Sequence, residues 1–548
     1  MINLTIKNNS QSQKIEFQNN VKGKELSSYF FENKSPLIAL KVNNKIISLS
    51  STINVNATVE GVFLNSQQVS SLYKNSLIIV LAKACFSLFP ENPLVIGSTY
   101  YYTLKDKILS EGDIKNIQNE MNKIIGNDEE FTENIYSYED AISILKNEGL
   151  TETIKQLKYN VSPTVKLNDL NGYKDYFMGP CVPSAKYLKI FEIKKYQQGF
   201  LLRLPVNFQT DNLSLPTFVD APKIFKIFTD YKEWGEKVGV SSVSDLNEFV
   251  VQRKINDFID IAETFQSQAF ARVSEEIFKR KKVKVVLIAG PSSSGKTTSS
   301  KKIALHLTAL GFKPKIISLD SYYVGRDKNP KDENGNYDYE CLEALDIELL
   351  NQNLNDLFSG KEVLIPSYNF DLGERFYTGE KMKLSKNDIL IMEGIHGLND
   401  ALTPKIPKEY KFKVYLSPLT ELILNGHYKI STSDNRLIRR IVRDSRYRGK
   451  SAEETISMWN SVRKGEYMHI FPFQNNADAV LNTSLDYELC VLKVYVSPLL
   501  KAVKPSSQYF NEAQRLLTIL NNYQEFSDNY IPKQAIVREF IGGSSFHY

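Results

Sequence analysis

The sequence predicts a multidomain α/β protein, and three observations lead to this prediction. The chain has 548 residues, which is too long for a single hydrophobic core. At its start, short β-like runs are separated by turns rich in Asn, Ser and Lys. From Val283 onward, continuous apolar runs of strand length alternate with helical segments, a pattern typical of a parallel sheet covered on both faces.

The composition is that of a soluble globular protein, with 42% hydrophobic and 24% charged residues. A net charge of +5 is nearly balanced over this length and does not indicate wholesale nucleic-acid binding. The four cysteines lack CxxC spacing, which argues against a disulfide framework or a cysteine-rich zinc site and favours a reduced, cytoplasmic setting. The start of the chain lacks the features of a secretory signal. The longest apolar run, near Ser76–Pro90, contains Lys83 and is too short to span a bilayer, so we expect a buried helix and no membrane partner.

Five segments are predicted along the chain. Residues 1–66 have the strand and turn pattern of a small β-grasp domain, and residues 67–222 mix amphipathic helices with short strands in an α+β region. Residues 223–281 repeat apolar side chains at helical spacing, which predicts a connector made of a long helix or a helix pair. The alternative is that this segment is part of the surface of the next domain. Residues 282–505 carry the strands of the parallel sheet, and residues 506–548 form a C-terminal tail.

A phosphate-binding loop is predicted between the apolar strand VKVVLIA and a helix that Gly311 closes. The segment GPSSSGKT fits the pattern GxxxxGK[ST], in which glycines turn backbone N–H groups toward phosphate oxygens at a helix N-terminus. Lys296 would reach the β- and γ-phosphates of ATP and Thr297 would bind Mg²⁺. The predicted nucleotide-binding residues are Gly290, Ser292, Ser293, Ser294, Gly295, Lys296, Thr297 and Thr298.

Two carboxylates follow later apolar strands. Asp320 ends the strand KIISL, where an Asp can accept the proton of an attacking hydroxyl while the γ-phosphoryl group moves to it. Glu393 ends the strand DILIM, where a carboxylate can hold Mg²⁺ directly or through water. The alternative for each is a capping carboxylate. His396 lies close behind Glu393, and it is either a substrate contact or a structural histidine.

A basic helix is predicted at RLIRRIVRD, where arginines recur at i, i+3, i+4 and i+7 and therefore share one helix face. Phosphoryl transfer needs cations around the migrating negative charge, and a mobile basic lid supplies them. The alternatives are a solvated charged face or an RNA-binding patch. The arginines concerned are Arg436, Arg439, Arg440 and Arg443, followed by Arg446 and Arg448.

Together these residues resemble the uridine–cytidine kinase/phosphoribulokinase family of P-loop kinases over roughly residues 283–500. The similarity is carried by GPSSSGKTT, LDSYY, NYDYECLEALD, IPSYNF, IMEGIHGLN and RLIRRIVRDSRYRG. It implies an ATP- and Mg²⁺-dependent kinase that phosphorylates the 5′-hydroxyl of a nucleoside such as uridine or cytidine, and we expect a homo-oligomer. The motifs and this resemblance together give the expected site residues. They are Asp320, Lys296, Arg440 and Arg443 for catalysis, Asp338, Tyr368, Arg440 and His396 for substrate contacts, Thr297 and Glu393 for Mg²⁺ binding, and Arg448 for nucleotide contact.

Two positions depart from this family. Gly373 stands where the family has a pyrimidine-reading histidine, and Lys450 stands where the nucleoside kinases have an arginine. The acceptor therefore stays open between a nucleoside and another sugar or phosphosugar alcohol. A nucleotide-gated RNA-binding regulator is the alternative outside enzymes.

The front of the chain resembles the N-terminal part of threonyl-tRNA synthetase. Residues 1–66 are similar to its TGS domain, and residues 67–222 are similar to its editing domain through LFPENPLVIGSTYYY, LSEGDIKNIQNEMNKII and GPCVPSAKYLKIF. The synthetase's HxxxH and CxxxH positions are Tyr73, Leu77, Phe177 and Cys181 here. Because the histidines are absent, we expect neither metal binding nor aminoacyl-tRNA hydrolysis of the synthetase kind.

Overall fold

The computed structural model of the protein describes residues 1–8, 11–30, 34–97, 100–176, 179–331, 335, 337–369 and 372–547. In its first part, a mixed sheet with strand order β2–β1–β7–β4–β5 covers a small core. Strand β1 alternates buried and outward positions, so Ile2, Leu4 and Ile6 point into that core. The strands are β1 (Ile2–Asn8), β2 (Gln11–Phe17), β3 (Val21–Lys22), β4 (Leu37–Val42), β5 (Lys45–Ser48), β6 (Thr52–Ile53) and β7 (Ala57–Phe63).

Next comes an α+β region whose strands form two antiparallel sheets, β10–β11–β12 and β13–β14–β9–β8. Its elements are α1 (Val69–Leu88), β8 (Leu94–Ile96), β9 (Tyr101–Leu104), α2 (Glu111–Gly126), β10 (Phe131–Ser137), α3 (Tyr138–Asn147), α4 (Thr151–Leu157), β11 (Thr164–Leu170), β12 (Tyr173–Asp175), β13 (Glu192–Tyr196) and β14 (Gly199–Arg203). Helix α1 is apolar and long enough to cross a membrane, but 72% of its most apolar window is buried inside the protein. The predicted buried helix is therefore confirmed.

The positions that correspond to the synthetase's metal ligands take part in packing. The Tyr73 hydroxyl donates to the Ile190 carbonyl at 2.9 Å and accepts from the Ile190 N–H at 3.0 Å. Leu77 is fully buried, and burial raises the pKa of the Cys181 thiol well above its usual range. Phe177 lies outside the described residues.

The connector consists of the helices α5 (Pro222–Val238), α6 (Val243–Val251) and α7 (Ile255–Lys279). We expected one long helix or a helix pair, but the connector contains three helices separated by two breaks. Gly239, with φ of +77°, ends α5 in the left-handed conformation, and Arg253, with φ of +60°, separates α6 from α7.

The last part contains the predicted parallel sheet, with strand order β16–β21–β15–β22–β23. All five residues of its central strand β15 are buried, as expected for a strand covered on both faces. The elements are β15 (Val285–Ala289), α8 (Lys296–Ala309), β16 (Lys313–Ser318), α9 (Ile347–Phe358), β17 (Val363–Leu364), β18 (Ser367–Asn369), β19 (Glu374–Phe376), β20 (Lys381–Met382), β21 (Asp388–Glu393), β22 (Lys411–Ser417), α10 (Thr432–Tyr447), α11 (Ala452–His469), β23 (Ala479–Asn482), α12 (Glu488–Lys501), α13 (Phe510–Leu520) and α14 (Arg538–Ile541).

Candidate active site

The site lies where the carboxyl ends of three neighbouring strands meet. Parallel pairing sets Ile288 of β15 and Ser318 of β16 on either side of Glu393, the last residue of β21. The chain after β15 forms the glycine-rich loop, and the chain after β16 carries Asp320 in a short 3₁₀ helix. Ligands of open parallel sheets bind at this edge, next to the strand where the order reverses. The topology thus brings the predicted loop, base and metal ligand together.

Glycine is required at two positions of the loop. A Cβ at Gly290 would lie 2.3 Å from the Leu416 carbonyl oxygen, and Gly295 has a left-handed φ of +80° at the start of α8. The buried hydroxyls of Ser293 and Ser294 find no hydrogen-bond partner among the described residues. Buried hydroxyls without a partner, beside the N-terminus of a 14-residue helix, fit a phosphate chain.

The loop rests on two buried ion pairs. Arg436 makes a bidentate pair with Glu466 and donates to the Ser292 carbonyl at 3.1 Å, and Glu466 accepts from the Ser292 N–H at 3.2 Å. Arg439 donates to Glu488 at 2.5 Å and to the Ser293 carbonyl at 3.3 Å. Both arginines are almost completely buried. They hold the loop's backbone rather than facing a phosphate. The arginines predicted to share one face therefore have two functions, support of the loop and attraction of a ligand's phosphate.

Three further arginines, two on α10 and one directly after it, gather around one acid. Arg440 and Arg443 contact the buried Asp444 at 3.2 and 2.8 Å, and Arg448 lies 3.6 Å from it. Arg440 also donates to the Ser292 hydroxyl at 2.9 Å, which places it at the loop. Three guanidinium groups on one carboxylate leave an excess of positive charge. Burial and neighbouring Arg443 lower the pKa of Arg448 to about 10, so an anion here would relieve their mutual repulsion.

Asp320 and Glu393 form the acidic half of the site. Burial raises the pKa of Asp320, and the nearby charges of Lys296, Arg448 and Arg443 oppose the shift, so the predicted base lies close enough to these three cations to feel their charge. Burial and the charge of Asp320 raise the pKa of Glu393 to about 7. Such repulsion between carboxylates is relieved when a cation binds.

Thr297 and Glu393 are suited to a shared magnesium ion. The Thr297 hydroxyl lies 3.4 Å from a Glu393 carboxylate oxygen. Within the described ranges, no group of three or more His, Cys, Asp or Glu side chains could hold a metal. Mg²⁺ commonly takes one or two carboxylates and completes its shell with phosphate oxygens and water, so this pair fits it.

The predicted acceptor contacts line a neighbouring aromatic wall. Asp338 lies 3.2 Å from Nε2 of His469 and accepts the Glu340 N–H at 3.0 Å. Tyr368, on β18, packs its ring 5.6 Å from that of Tyr323. A carboxylate together with aromatic rings can contact both the hydroxyls and the flat face of a sugar-linked base.

His396 is buried and contacts the backbone. Its Nε2 lies 3.1 Å from the Cys341 carbonyl, and burial lowers its pKa to about 4, so the ring is neutral near pH 7. A neutral ring at this contact donates from Nε2. His396 therefore fixes the loop behind Asp338, and its contact with substrate stays a prediction.

Glu539, in the C-terminal tail, enters this site and was missed by the sequence analysis. One of its carboxylate oxygens accepts from the Thr298 N–H at 3.1 Å and from the Thr298 hydroxyl at 2.6 Å. The adjoining Phe540 ring packs 5.0 Å from the Arg439 guanidinium group, which anchors the tail on α10. A negative group therefore occupies donors in the first turn of α8 that were predicted to bind the nucleotide.

Replacing Glu539 by Gln is expected to tighten ATP binding about fivefold. The amide keeps an acceptor for Thr298 but removes a negative charge from a helix N-terminus, an effect on the order of 1 kcal/mol. Calorimetric titration with a non-hydrolysable ATP analogue measures the change. Glu525→Gln, which alters an exposed carboxylate paired with Lys493, is the matched control. Weaker binding by the Glu539 variant would instead make this carboxylate a support of the nucleotide site.

Of the site residues that the sequence analysis missed, one has a local sequence signal and the others have none. Asp444 follows Arg440 by four positions and precedes Arg448 by four, so helical spacing alone groups them. Glu466, Glu488 and Glu539 come from distant segments and carry no local signal.

The loop between strand and helix, the carboxylates at adjacent strand ends and the arginine cluster define a P-loop kinase domain. Residues 285–488 match the family described as the Phosphoribulokinase / Uridine kinase family. The chain is 32% identical over 201 residues to a uridine kinase of Macrococcus caseolyticus, which covers 36% of this chain and 88% of that relative. The chain therefore belongs to the phosphoribulokinase/uridine kinase family. A solved structure described as a possible uridine kinase from Bacillus stearothermophilus aligns with 20% identity, covering 36% of this chain and 89% of its own, with a TM-score of 0.23.

The front of the chain has different relatives. It is 28% identical over 207 residues to a threonine–tRNA ligase of Ehrlichia ruminantium, which covers 36% of this chain and 32% of the ligase. The chain thus spans about a third of the length of the ligases it matches. A ligase-like front part is fused to a P-loop kinase domain.

Proposed function

We propose that this protein transfers the γ-phosphate of ATP to the 5′-hydroxyl of a nucleoside similar to uridine or cytidine. The observation that carries the proposal is the placement of Asp320 among Lys296, Arg443 and Arg448, next to the loop that fits a phosphate chain. A base surrounded by cations can take a hydroxyl proton while those cations stabilise the charge on the phosphoryl group. The uridine kinase among the relatives supports this acceptor class.

Each residue of the site has a part in this reaction. The acceptor enters along Asp338 and Tyr368, which orient its sugar hydroxyl toward Asp320. Lys296 and the loop backbone bind the phosphates, and Arg440 and Arg443 face the group in transit. Thr297 and Glu393 hold Mg²⁺, which supplies positive charge to the phosphates when bound.

One observation favours a second candidate, an acceptor that carries its own anionic group. At Gly373, which has a φ of +72°, a Cβ would lie 2.8 Å from Nε of Arg326, and the backbone N–H of Arg326 donates to the Gly373 carbonyl at 2.9 Å. The glycine therefore makes room for a guanidinium group where the family has a base-reading histidine. A guanidinium group binds either carbonyl oxygens of a base or a phosphate.

An acceptor screen tests the proposal with the full chain, Mg²⁺ and γ-labelled ATP. Label is expected in the monophosphates of uridine or cytidine, while 5′-deoxyuridine, which lacks the accepting hydroxyl, should inhibit without accepting label. Transfer only to phosphosugars, lost in Arg326→Gln, would replace the nucleoside by the anionic acceptor. No transfer to any acceptor, together with steeply salt-dependent retention on an RNA column, would favour an RNA-binding regulator.

A further inference from the structure

A large cavity lies between the ligase-like front part and the kinase domain. This inner cavity has a volume of about 910 Å³, within the range of about 300–1,000 Å³ that small-molecule sites occupy. Its walls come from the end of α1, the β8–β9 hairpin, the connector helix α5 and the chain segment from Glu421 to His427. None of the residues assigned to phosphoryl transfer lines it.

Two carboxylates of the kinase domain, Glu421 and Asp486, line the inner cavity. The Glu421 side chain is only 6% exposed, and its Oε1 finds no hydrogen-bond partner among the described residues. Its other oxygen lies 3.4 Å from Nζ of Lys429. Lys429 also donates to the Gly97 carbonyl at 3.0 Å and lies 5.0 Å from the Phe228 ring, so its charge is shared with other groups.

The two acids are therefore undercompensated. Burial raises the pKa of Glu421 to about 8, with Lys429 opposing the shift. Burial and the charge of Glu488 raise the pKa of Asp486 to about 7. A buried carboxylate that resists ionisation gains most from a cation brought close to it.

Several other charged groups at the inner cavity are paired with neighbours, and Lys105 and Lys232 also line it. Lys155 pairs with Glu152 at 2.8 Å, and Lys107 lies 3.7 Å from Asp113. His427 contacts Asp175 at 2.8 Å. Among the described residues that line the cavity, acidic side chains outnumber lysines, so a positively charged ligand suits this lining better than a negatively charged one.

Part of the remaining wall is apolar, so an apolar body on the ligand can pack there while its positive group meets the acids. The wall includes Phe86, Phe89, Leu94, Ile96 and Leu104. Leu94, Ile96 and Leu104 belong to the main hydrophobic core, which gives the wall a fixed shape.

We propose that the inner cavity binds a small organic cation, an amine with an apolar body, whose ammonium group pairs with Glu421 and Asp486. The ammonium group supplies positive charge and hydrogen-bond donors to the two carboxyl groups, and the body packs on the aromatic and aliphatic wall. This site is separate from phosphoryl transfer, so it stands whether or not the acceptor is a nucleoside.

Calorimetric titration of the full chain with phenethylamine, and with 2-phenylethanol as its neutral counterpart, tests the site. The amine is expected to bind saturably and at least about tenfold more tightly than the alcohol, because only the amine carries a charge. Glu421→Gln and Asp486→Asn should each weaken amine binding about tenfold or more. Glu233→Gln, an exposed acid of α5 outside the cavity, should bind like the unaltered chain.

Three results would overturn the proposal. Equal binding of amine and alcohol would mean that the inner cavity selects for apolar groups and not for positive charge. If the amine showed no saturable binding, the inner cavity would not be an amine site at all. Unchanged amine binding in both acid variants would place the amine elsewhere. Circular dichroism establishes that the variants fold, and Asp486→Asn keeps the Glu421–Lys429 pair intact in case Glu421→Gln does not fold.

Discussion

Asp320→Asn is expected to lower the rate constant for phosphoryl transfer about 10²- to 10⁴-fold, the range that a positioned general base supplies. The amide has the size of the carboxylate but cannot take the proton of the attacking hydroxyl. Binding of ATP should be retained, because the loop at Gly290–Thr297 and its supports are unchanged. The negative charge beside Lys296, Arg443 and Arg448 is lost, so nucleotide affinity should rise slightly.

Single-turnover measurements with labelled ATP separate the chemical step from binding and product release. Asp356→Asn makes the same substitution in a surface ion pair with Lys361, on α9, and should leave the rate unaltered. If Asp320→Asn transferred phosphate at the original rate, another group would be the base. Half-buried Glu340, whose pKa is raised to about 7 by desolvation and by Glu466, would then be the next carboxylate to replace.

The centre of the site could be predicted because its signals are local. Each of Gly290, Asp320 and Glu393 directly follows an apolar run of strand length, and parallel strands place their carboxyl ends at one edge. The connector was expected to be one long helix or a helix pair, whereas breaks at Gly239 and Arg253 divide it into three helices. Helical periodicity shows on which face of a helix a residue lies, but it does not show where the helix ends.

The functions of the arginines could not be separated by spacing. Arg436, Arg439, Arg440 and Arg443 share a face in sequence terms, yet tertiary packing buries the first two against acids 30 and 49 residues away. Burial decides the function here, because a buried arginine needs a carboxylate whereas a half-buried one can attract a ligand's phosphate. The tail carboxylate of Glu539 is 241 residues from Thr298, and only the folded chain brings them together.

Glu466→Gln should lower the free energy of unfolding of the kinase domain by about 3–5 kcal/mol, the usual cost of leaving one partner of a buried ion pair unpaired. Glu466 is fully buried and holds both nitrogens of the Arg436 fork and the Ser292 N–H. The variant amide can offer only one acceptor and would direct a donor at Arg436. The phosphate loop should loosen as well, because Ser292 is bonded to both members of the pair.

Trp459 provides a probe for this prediction, since its ring lies 5.2 Å from the Arg436 guanidinium group. In a Trp234→Phe background it is the one tryptophan of the chain, so its fluorescence during urea unfolding reports on this region. Glu152→Gln, in the exposed pair with Lys155, should cost about 0–1 kcal/mol in the same assay. Arg436→Met combined with Glu466→Gln should recover much of the loss, because no charge is then buried alone. A Glu466→Gln cost as small as that of Glu152→Gln would mean that water reaches Arg436, and the loop would then rest on Arg439 and Glu488 alone.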